Sequence, residues 1–134
     1  MNLRLVDLRE QYPLDLDSAP LDLYLYEPQG PLCAYPGTLQ ISKDLSIRHP
    51  FLRENGGFKV PWIMTTDLLL TVEQKDGRLG FLAISCKYRK DTLTPRKRQL
   101  LAIERAYWQA RGVSWRLVTE DLVHPLLIAT LVRT

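Results

Sequence analysis

The sequence is poor in the residues that build zinc centres, disulfide frameworks and membrane spans. It holds two cysteines, Cys33 and Cys86, and two histidines, His49 and His124, among 134 residues. Their spacing matches no metal-binding pattern, so we expect reduced thiols, a cytoplasmic protein and no His-rich zinc site. No apolar run approaches the roughly 18 residues of a membrane-spanning helix, so we expect no membrane partner. The charged residues 1–11 also argue against a signal peptide.

The remaining composition is that of an ordinary globular domain. Apolar residues make up 46% of the chain and charged residues 25%, which is typical of folded domains. A chain of this length buries one sizeable core. We therefore expect residues 1–134 to form a single domain.

A predicted β-hairpin over residues 62–88 organises the rest of the chain. Two apolar runs, 62–73 and 79–88, flank a polar turn that contains Asp76-Gly77, which is a strong hairpin signal. Cys86 is predicted to be a small core residue. Alternate residues of a strand share a face. We therefore predict that one face of the second strand carries Phe81, Ala83, Ser85 and Lys87, and that the other face carries Leu82, Ile84, Cys86 and Tyr88.

Two charged side chains interrupt these apolar strands. Asp67 follows Thr66 in the first run, and Lys87 ends the second. Both need a partner, because an unpaired buried charge is costly. One interpretation is a structural ion pair at the end of the hairpin. The other is a metal-dependent nuclease site, in which Asp67 ligates a divalent cation and Lys87 orients water or offsets phosphate charge.

Positive charge is concentrated in residues 87–98, although the net charge of the chain is only +3. Thr94-Pro95 reads as a helix N-cap followed by a first-turn proline, so the cations after it oppose the helix dipole. A solvated loop explains this cluster, and so does a docked DNA backbone, which would remove the conflict. The DNA-binding candidates are Arg89, Lys90, Arg96, Lys97 and Arg98.

The other elements follow from hydrophobic periodicity and from helix-breaking residues. Further strands are predicted at 3–8 and 113–119, in one sheet with the hairpin strands, and a helix at 95–111 that Gly112 stops. A short helix or helical turn is predicted at 38–47, and a second short helix at 120–131. Residues 15–37 and 51–59 are predicted to be mostly loop.

One acidic residue, Glu104, falls inside the apolar stripe of the main helix. We favour a partly exposed Glu104 that pairs with Arg105 or Lys97 over an inward carboxylate that contributes to a site. The stripe itself is predicted to comprise Leu100, Leu101, Tyr107 and Trp108, with Ile103 at its edge.

Four ordered segments resemble the TnsA-type transposon endonucleases. They are residues 7–14 (DLREQYPL), 46–50 (SIRHP), 64–69 (MTTDLL) and 103–108 (IERAYW). The resemblance implies an α/β fold with a restriction-endonuclease-like, PD-(D/E)XK core, in which helices flank a mixed β-sheet. It also implies the DNA-cutting subunit of a heteromeric transposase, which nicks the 5′ strands at transposon ends with Mg²⁺, or with Mn²⁺ in its place.

The resemblance assigns roles to residues of the hairpin. Asp67 becomes the metal-ligand aspartate, together with the backbone carbonyl of Cys86, and Lys87 becomes the catalytic lysine. Ser85 takes a catalytic position that usually holds glutamine or an acid in this family. The implied partners are double-stranded DNA, a partner transposase subunit and a transposition regulator.

The resemblance also leaves the activity of this chain open. We expect residues 1–134 to lack the family's N-terminal helix with its catalytic glutamate and its C-terminal helical domain. One certain carboxylate is a thin shell for a hard cation, so this chain alone should bind Mg²⁺ weakly and cut DNA poorly or not at all. The alternative is a catalytically incomplete DNA-binding or assembly subunit. A third option is a structural domain whose Asp67–Lys87 ion pair has no DNA role.

Overall fold

The protein is an α/β domain in which a mixed sheet packs against a helix. Its structure, a computed structural model, describes residues 4–21 and 34–121. In chain order the elements are β1 (Arg4–Pro13), β2 (Ala19–Pro20), β3 (Ala34–Tyr35), α1 (Thr38–Asp44), β4 (Phe51–Arg53), β5 (Lys59–Pro61), β6 (Thr65–Glu73), β7 (Leu79–Cys86), α2 (Pro95–Ala110) and β8 (Ser114–Val118). A short 3-10 turn over Arg89–Thr92 joins β7 to α2.

The four long strands form one sheet in the order β1-β6-β7-β8. The β1/β6 and β6/β7 pairs are antiparallel, whereas β7 and β8 are parallel. The parallel pair follows from the connection, because α2 carries the chain back across the sheet before β8 begins. The four predicted strands and their common sheet are confirmed, and β1 extends further than predicted.

The turn between β6 and β7 has the chemistry that the sequence indicated. Gly77 adopts φ 83°, a left-handed conformation that glycine accepts without steric cost. The carboxylate of Asp76 accepts a hydrogen bond from the backbone N–H of Arg78 at 3.0 Å. These contacts fix the register in which Glu73 pairs with Leu79. The same register brings the start of β6 next to the end of β7.

The core lies between α2 and one face of the sheet. It joins Leu69, Phe81 and Ala83 of the sheet to Ile103 and Trp108 of α2. Ile103 is 0% exposed, so it belongs to the buried core although it lies at the edge of the predicted stripe.

Cys86 is exposed, which contradicts its prediction as a core residue. The buried face of β7 carries Ala83 and Ser85, both 0% exposed. Cys86 points to the other face, at the last residue of the strand. Alternation gave the two faces correctly, but it did not say which face α2 would cover.

Residues 51–61 form a small antiparallel hairpin of β4 and β5, where the sequence predicted a loop. Gly56 and Gly57 both have positive φ, and they close a tight turn that lets Glu54 N–H donate to Phe58 O at 3.0 Å. From the sequence, these two glycines indicate only a loop.

The remaining predictions have mixed outcomes. The predicted helices at 38–47 and 95–111 are confirmed as α1 and α2, and Thr94 caps α2 with Pro95 as its first residue. Residues 15–21 and 34–37 are mostly irregular, apart from the short β2/β3 pair. The helix predicted at 120–131 lies outside the described residues from 122 onward. Within 4–21 and 34–121, no helix is long and apolar enough to cross a bilayer.

Candidate active site

Asp67 and Lys87 meet at the end of the β6/β7 hairpin. The Nζ atom of Lys87 lies 3.5 Å from Oδ2 of Asp67, and both side chains keep some solvent contact. The backbone N–H of Cys86 donates to the same oxygen at 2.6 Å. Ser85, which is fully buried, has its hydroxyl 3.5 Å from it. The predicted proximity of Asp67 and Lys87 on one face is confirmed.

The second oxygen of Asp67 is contacted from the neighbouring strand. Gln11 Nε2 of β1 donates to Asp67 Oδ1 at 3.3 Å, and its own Oε1 accepts from the hydroxyl of Thr65 at 3.0 Å. Gln11 has φ 48°, which is uncommon and strained for a residue with a Cβ. The backbone of β1 is therefore distorted where it contacts the candidate site. The sequence segment 7–14 marked this strand, but it gave Gln11 no role.

Glu104 is the buried carboxylate of the site. It is 4% exposed, so the favoured interpretation of a partly exposed Glu104 paired with Arg105 or Lys97 is wrong. Its Oε2 accepts from Thr66 Oγ1 at 3.0 Å and from Trp115 Nε1 at 2.9 Å. Trp108 Nε1 donates to the same threonine hydroxyl at 2.7 Å. The inward carboxylate is thus held directly by Trp115 and Thr66, and Trp108 supports it through the hydroxyl of Thr66.

The surroundings of Glu104 favour its protonated form. Burial raises the pKa of the Glu104 carboxyl, and the hydrogen bonds from Trp115 and Thr66 oppose that rise without cancelling it. The Asp67 carboxylate raises this pKa further, and the ammonium of Lys87 lowers it. Glu104 is therefore electrostatically coupled to both hairpin residues.

A cleft of about 540 Å³ opens beside these residues. Lys87 and Glu104 line it from the hairpin and from α2, and Phe51 and Trp62 line it from the β4–β5 region. The cleft therefore joins an ammonium and a buried carboxylate to exposed aromatic surface. A phosphodiester entering it would meet the ammonium of Lys87.

Among the predicted DNA-binding cations, Lys97 lines this cleft, and two of the five make ion pairs. Arg89 Nη1 contacts Asp121 Oδ2 at 3.1 Å, and Lys97 Nζ contacts Asp91 Oδ1 at 2.8 Å. The hydrogen bond from Lys97 lowers the pKa of Asp91 below its ordinary value. These two cations already share their charge with a carboxylate.

Within residues 4–21 and 34–121, the other three cations form no ion pair with a carboxylate. Arg96 Nη1 donates to the backbone oxygen of Arg48 at 2.7 Å, and Arg98 Nε donates to that of Thr92 at 2.7 Å. Lys90 lies over the ring of Tyr88, with Nζ 5.7 Å from the ring centroid. Carbonyl oxygens and rings orient a cation without neutralising it, so the start of α2 keeps a positive surface.

The donor set for a divalent cation is incomplete within the described residues. In residues 4–21 and 34–121, no group of three His, Cys, Asp or Glu side chains is placed to hold a metal ion together. Asp67 offers one carboxylate, whose Oδ2 already accepts from Lys87, Ser85 and Cys86. Glu104, the nearest additional carboxylate, is held by Thr66 and Trp115. The residues present fit a metal ion only in part.

Comparison with known proteins shows the family to which this chain belongs. Residues 5–120 match the family model described as TnsA-like endonuclease N terminal. The chain belongs to the TnsA-like endonuclease family. It is also 31% identical, over 122 residues, to the Escherichia coli protein described as transposon Tn7 transposition protein TnsA. That match covers 91% of this chain and 35% of the relative, so the chain spans about a third of the relative's length.

The family match confirms the resemblance carried by the four sequence segments. Three of those segments supply residues that meet at the site: Gln11 from 7–14, Thr66 and Asp67 from 64–69, and Glu104 from 103–108. Arg48, from the segment 46–50, gives its backbone oxygen to Arg96. The TnsA-like segments are therefore not scattered over the fold, but converge on the end of the β6/β7 hairpin.

Proposed function

We propose that this chain is the DNA-cutting domain of a transposition nuclease, with a PD-(D/E)XK-type core, and that it hydrolyses phosphodiester bonds in duplex DNA. One observation carries the proposal. Asp67 and Lys87 come from paired strands into contact, 3.5 Å apart, beside a cleft in a chain of the TnsA-like endonuclease family. A buried carboxyl group, Glu104, lines the same cleft as Lys87.

Each residue of the pair has a distinct role in this proposal. The ammonium of Lys87 lines the cleft, where it positions the attacking water and offsets the charge that develops on the phosphate. Asp67 fixes that ammonium through Oδ2. Ser85 is buried behind both and keeps the carboxylate oriented through its hydroxyl.

Asp67 and the backbone carbonyl of Cys86 would hold Mg²⁺, with Mn²⁺ as a substitute. The ion would supply an activated water and stabilisation of phosphate charge. Because hard cations prefer several carboxylate oxygens, and Asp67 Oδ2 is already occupied by donors of the chain, the domain alone should bind the ion weakly. This expectation agrees with the single certain carboxylate in the sequence.

The partners follow from the family and from the relative. The E. coli relative is described as a transposon Tn7 transposition protein. We propose that double-stranded DNA is the substrate and that nicking falls on the 5′ strands at transposon ends. A partner transposase subunit and a transposition regulator complete the assembly, and Arg89, Lys90, Arg96, Lys97 and Arg98 bind the DNA backbone.

A plasmid-nicking assay with Mg²⁺ or Mn²⁺ tests the proposal. We expect slow conversion of supercoiled plasmid by the wild-type chain, lost in Asp67→Asn and Lys87→Met. The matched controls are Asp76→Asn and Lys75→Met in the exposed turn at the other end of the same hairpin, and both should nick like wild type. Nicking that survives both site substitutions would refute the assignment of Asp67 and Lys87.

A second function, that of a catalytically incomplete DNA-binding or assembly subunit, is favoured by the incomplete donor set of the described residues. It predicts that the wild-type chain binds duplex DNA but produces no nicks with either metal ion at any concentration tested. The two functions therefore separate in one experiment, provided that DNA binding is measured on the same preparation.

A further inference from the structure

The β4–β5 hairpin opposes two cations without an acid between them. Arg53 of β4 and Lys59 of β5 are direct cross-strand partners in the antiparallel register. Residues paired in this way share a face of the hairpin, and like charges in that position destabilise it. Neither side chain makes an ion pair or a side-chain hydrogen bond within the part of the chain that the structure describes. A bound anion would remove this repulsion.

The same hairpin exposes aromatic surface. Phe58, next to the turn, is 75% exposed, and Trp62 and Phe51 are 51% and 47% exposed. Aromatic rings that alternate with cations are the usual composition of nucleic-acid surfaces, since cations meet phosphates and rings pack on bases and sugars. An apolar surface for a protein partner would not place two cations opposite each other.

The hairpin also borders the candidate active site. Phe51 and Trp62 line the same cleft as Lys87 and Glu104. The backbone oxygen of Arg48, just before β4, accepts a hydrogen bond from Arg96 in the first turn of α2 at 2.7 Å. The base of the hairpin therefore borders the cleft together with Lys97 from the start of α2.

We propose that the β4–β5 hairpin is a second DNA-contacting element, which holds duplex DNA beside the cleft. Arg53 and Lys59 bind backbone phosphates, and Phe58 and Trp62 pack against sugars and bases in the adjoining groove. The proposal rests on the proposed nuclease function and extends it. The same DNA would then contact both the hairpin and the basic start of α2.

Tryptophan fluorescence reports this contact directly. Trp62 is exposed, whereas Trp108 is 1% exposed and Trp115 packs against the core. Adding a short DNA duplex should quench the wild-type emission, and Trp62→Phe should remove that quench while keeping the emission of the two core tryptophans. Phe58→Ala should weaken binding of the duplex several-fold, because the exposed ring no longer packs against the groove.

Salt dependence tests the two cations. The double variant Arg53→Gln/Lys59→Gln should reduce the slope of log affinity against log salt by about 1.8, as each lost phosphate contact removes roughly 0.9. The matched control is Lys75→Gln/Arg78→Gln, which removes the same charge from the turn between β6 and β7, at the far end of the sheet from Asp67. The control should keep the wild-type slope.

The outcomes separate this inference from the proposed function. The inference would be overturned if the wild-type chain binds DNA, the hairpin double variant keeps the wild-type salt slope, and Trp62→Phe keeps the fluorescence quench. The nuclease proposal would then still stand. A wild-type chain that binds no duplex DNA would overturn both. Self-association that Phe58→Ala abolishes, with DNA affinity unchanged, would make the hairpin a protein interface instead. Circular dichroism on each variant confirms that the exposed substitutions leave the fold intact.

Discussion

At the residue scale, one buried carboxyl group, Glu104, is coupled to the Asp67–Lys87 pair. Glu104 lies under the sheet with two tryptophan N–H groups close by, one bound directly and one through Thr66. These hydrogen bonds hold the carboxyl group in place, while burial favours its protonated form. Its ionisation is therefore tied both to folding and to the charges of Asp67 and Lys87.

The pH dependence of stability should reveal the raised pKa of Glu104. A group with a folded-state pKa above its unfolded value stabilises the fold fully below the unfolded value, and that contribution is lost as pH rises through the folded value. Relative to wild type, Glu104→Gln should therefore become steadily more stable as pH rises from below 4.5 toward neutrality. Urea unfolding at a series of pH values measures this difference.

Glu104→Leu serves as the comparison for that series. It removes the acceptor of Trp115 N–H and should be about 1–3 kcal/mol less stable than Glu104→Gln at every pH, because a buried donor is left unpaired. A difference between Glu104→Gln and wild type that stays constant with pH would show that burial does not raise the pKa of Glu104 in the folded protein.

At the scale of elements, a close backbone approach fixes α1 against the chain that follows β1. The N–H groups of Thr38 and Leu39 at the start of α1 donate to Asp15 O and Leu16 O, at 2.8 and 3.2 Å. Gly37 precedes them and is buried. A Cβ at this position would lie 2.2 Å from Leu16 O, a backbone atom that cannot move without breaking those hydrogen bonds.

Gly37→Ala should therefore destabilise the fold by about 1–3 kcal/mol, the usual cost of overpacking. Gly80→Ala in β7 is the matched control, because its nearest atom would be the flexible Nε2 of Gln74 at 3.6 Å. The control should stay within about 0.5 kcal/mol of wild type. Thermal denaturation of both variants measures this difference in stability. Equal melting temperatures would show that residues 15–17 do not pack closely enough against the start of α1 to exclude a Cβ at position 37.

At the scale of the whole molecule, acids accompany the cations unevenly over the described residues. The start of α2 and the β4–β5 hairpin both carry cations near the cleft, whereas Asp76 and Glu73 accompany the cations at the far end of the sheet. The net charge of only +3 therefore does not show how unevenly the cations are distributed over the surface. Such a surface attracts a polyanion through counterion release and is sensitive to salt.

Reversal of Arg96, Lys97 and Arg98 to glutamate should flatten the salt dependence of DNA binding, by up to about 2.7 in the log–log slope. The physical reason is the loss of three phosphate contacts at the start of α2. The affinity of each variant is measured by fluorescence anisotropy across a range of salt concentrations.

The control for this triple variant reverses three cations at the opposite end of the sheet: Arg4, Lys75 and Arg78. It changes the net charge equally, so it should weaken binding slightly and keep the slope. The same slope in the wild type and in the α2 variant would show that the basic cluster is only a solvated face.

The sequence determined the local elements of this protein and the main partners in its site. Asp76-Gly77 specified the β6/β7 hairpin, Thr94-Pro95 specified the start of α2, and strand alternation put Lys87 on the face that meets Asp67. These features depend on residues near one another in the chain or on the period of a strand, so they are readable without the fold. The family segments added the identity of the site.

Only the tertiary structure decided what is buried. Helical spacing puts Glu104 inside the apolar stripe, but the sequence does not show the partners that hold it in the interior, because Thr66 and Trp115 come from two different strands. Cys86 looked buried because alternation does not say which face of the sheet α2 covers. Burial and coupling depend on contacts between residues distant in sequence, and such contacts exist only once the sheet and α2 have packed together.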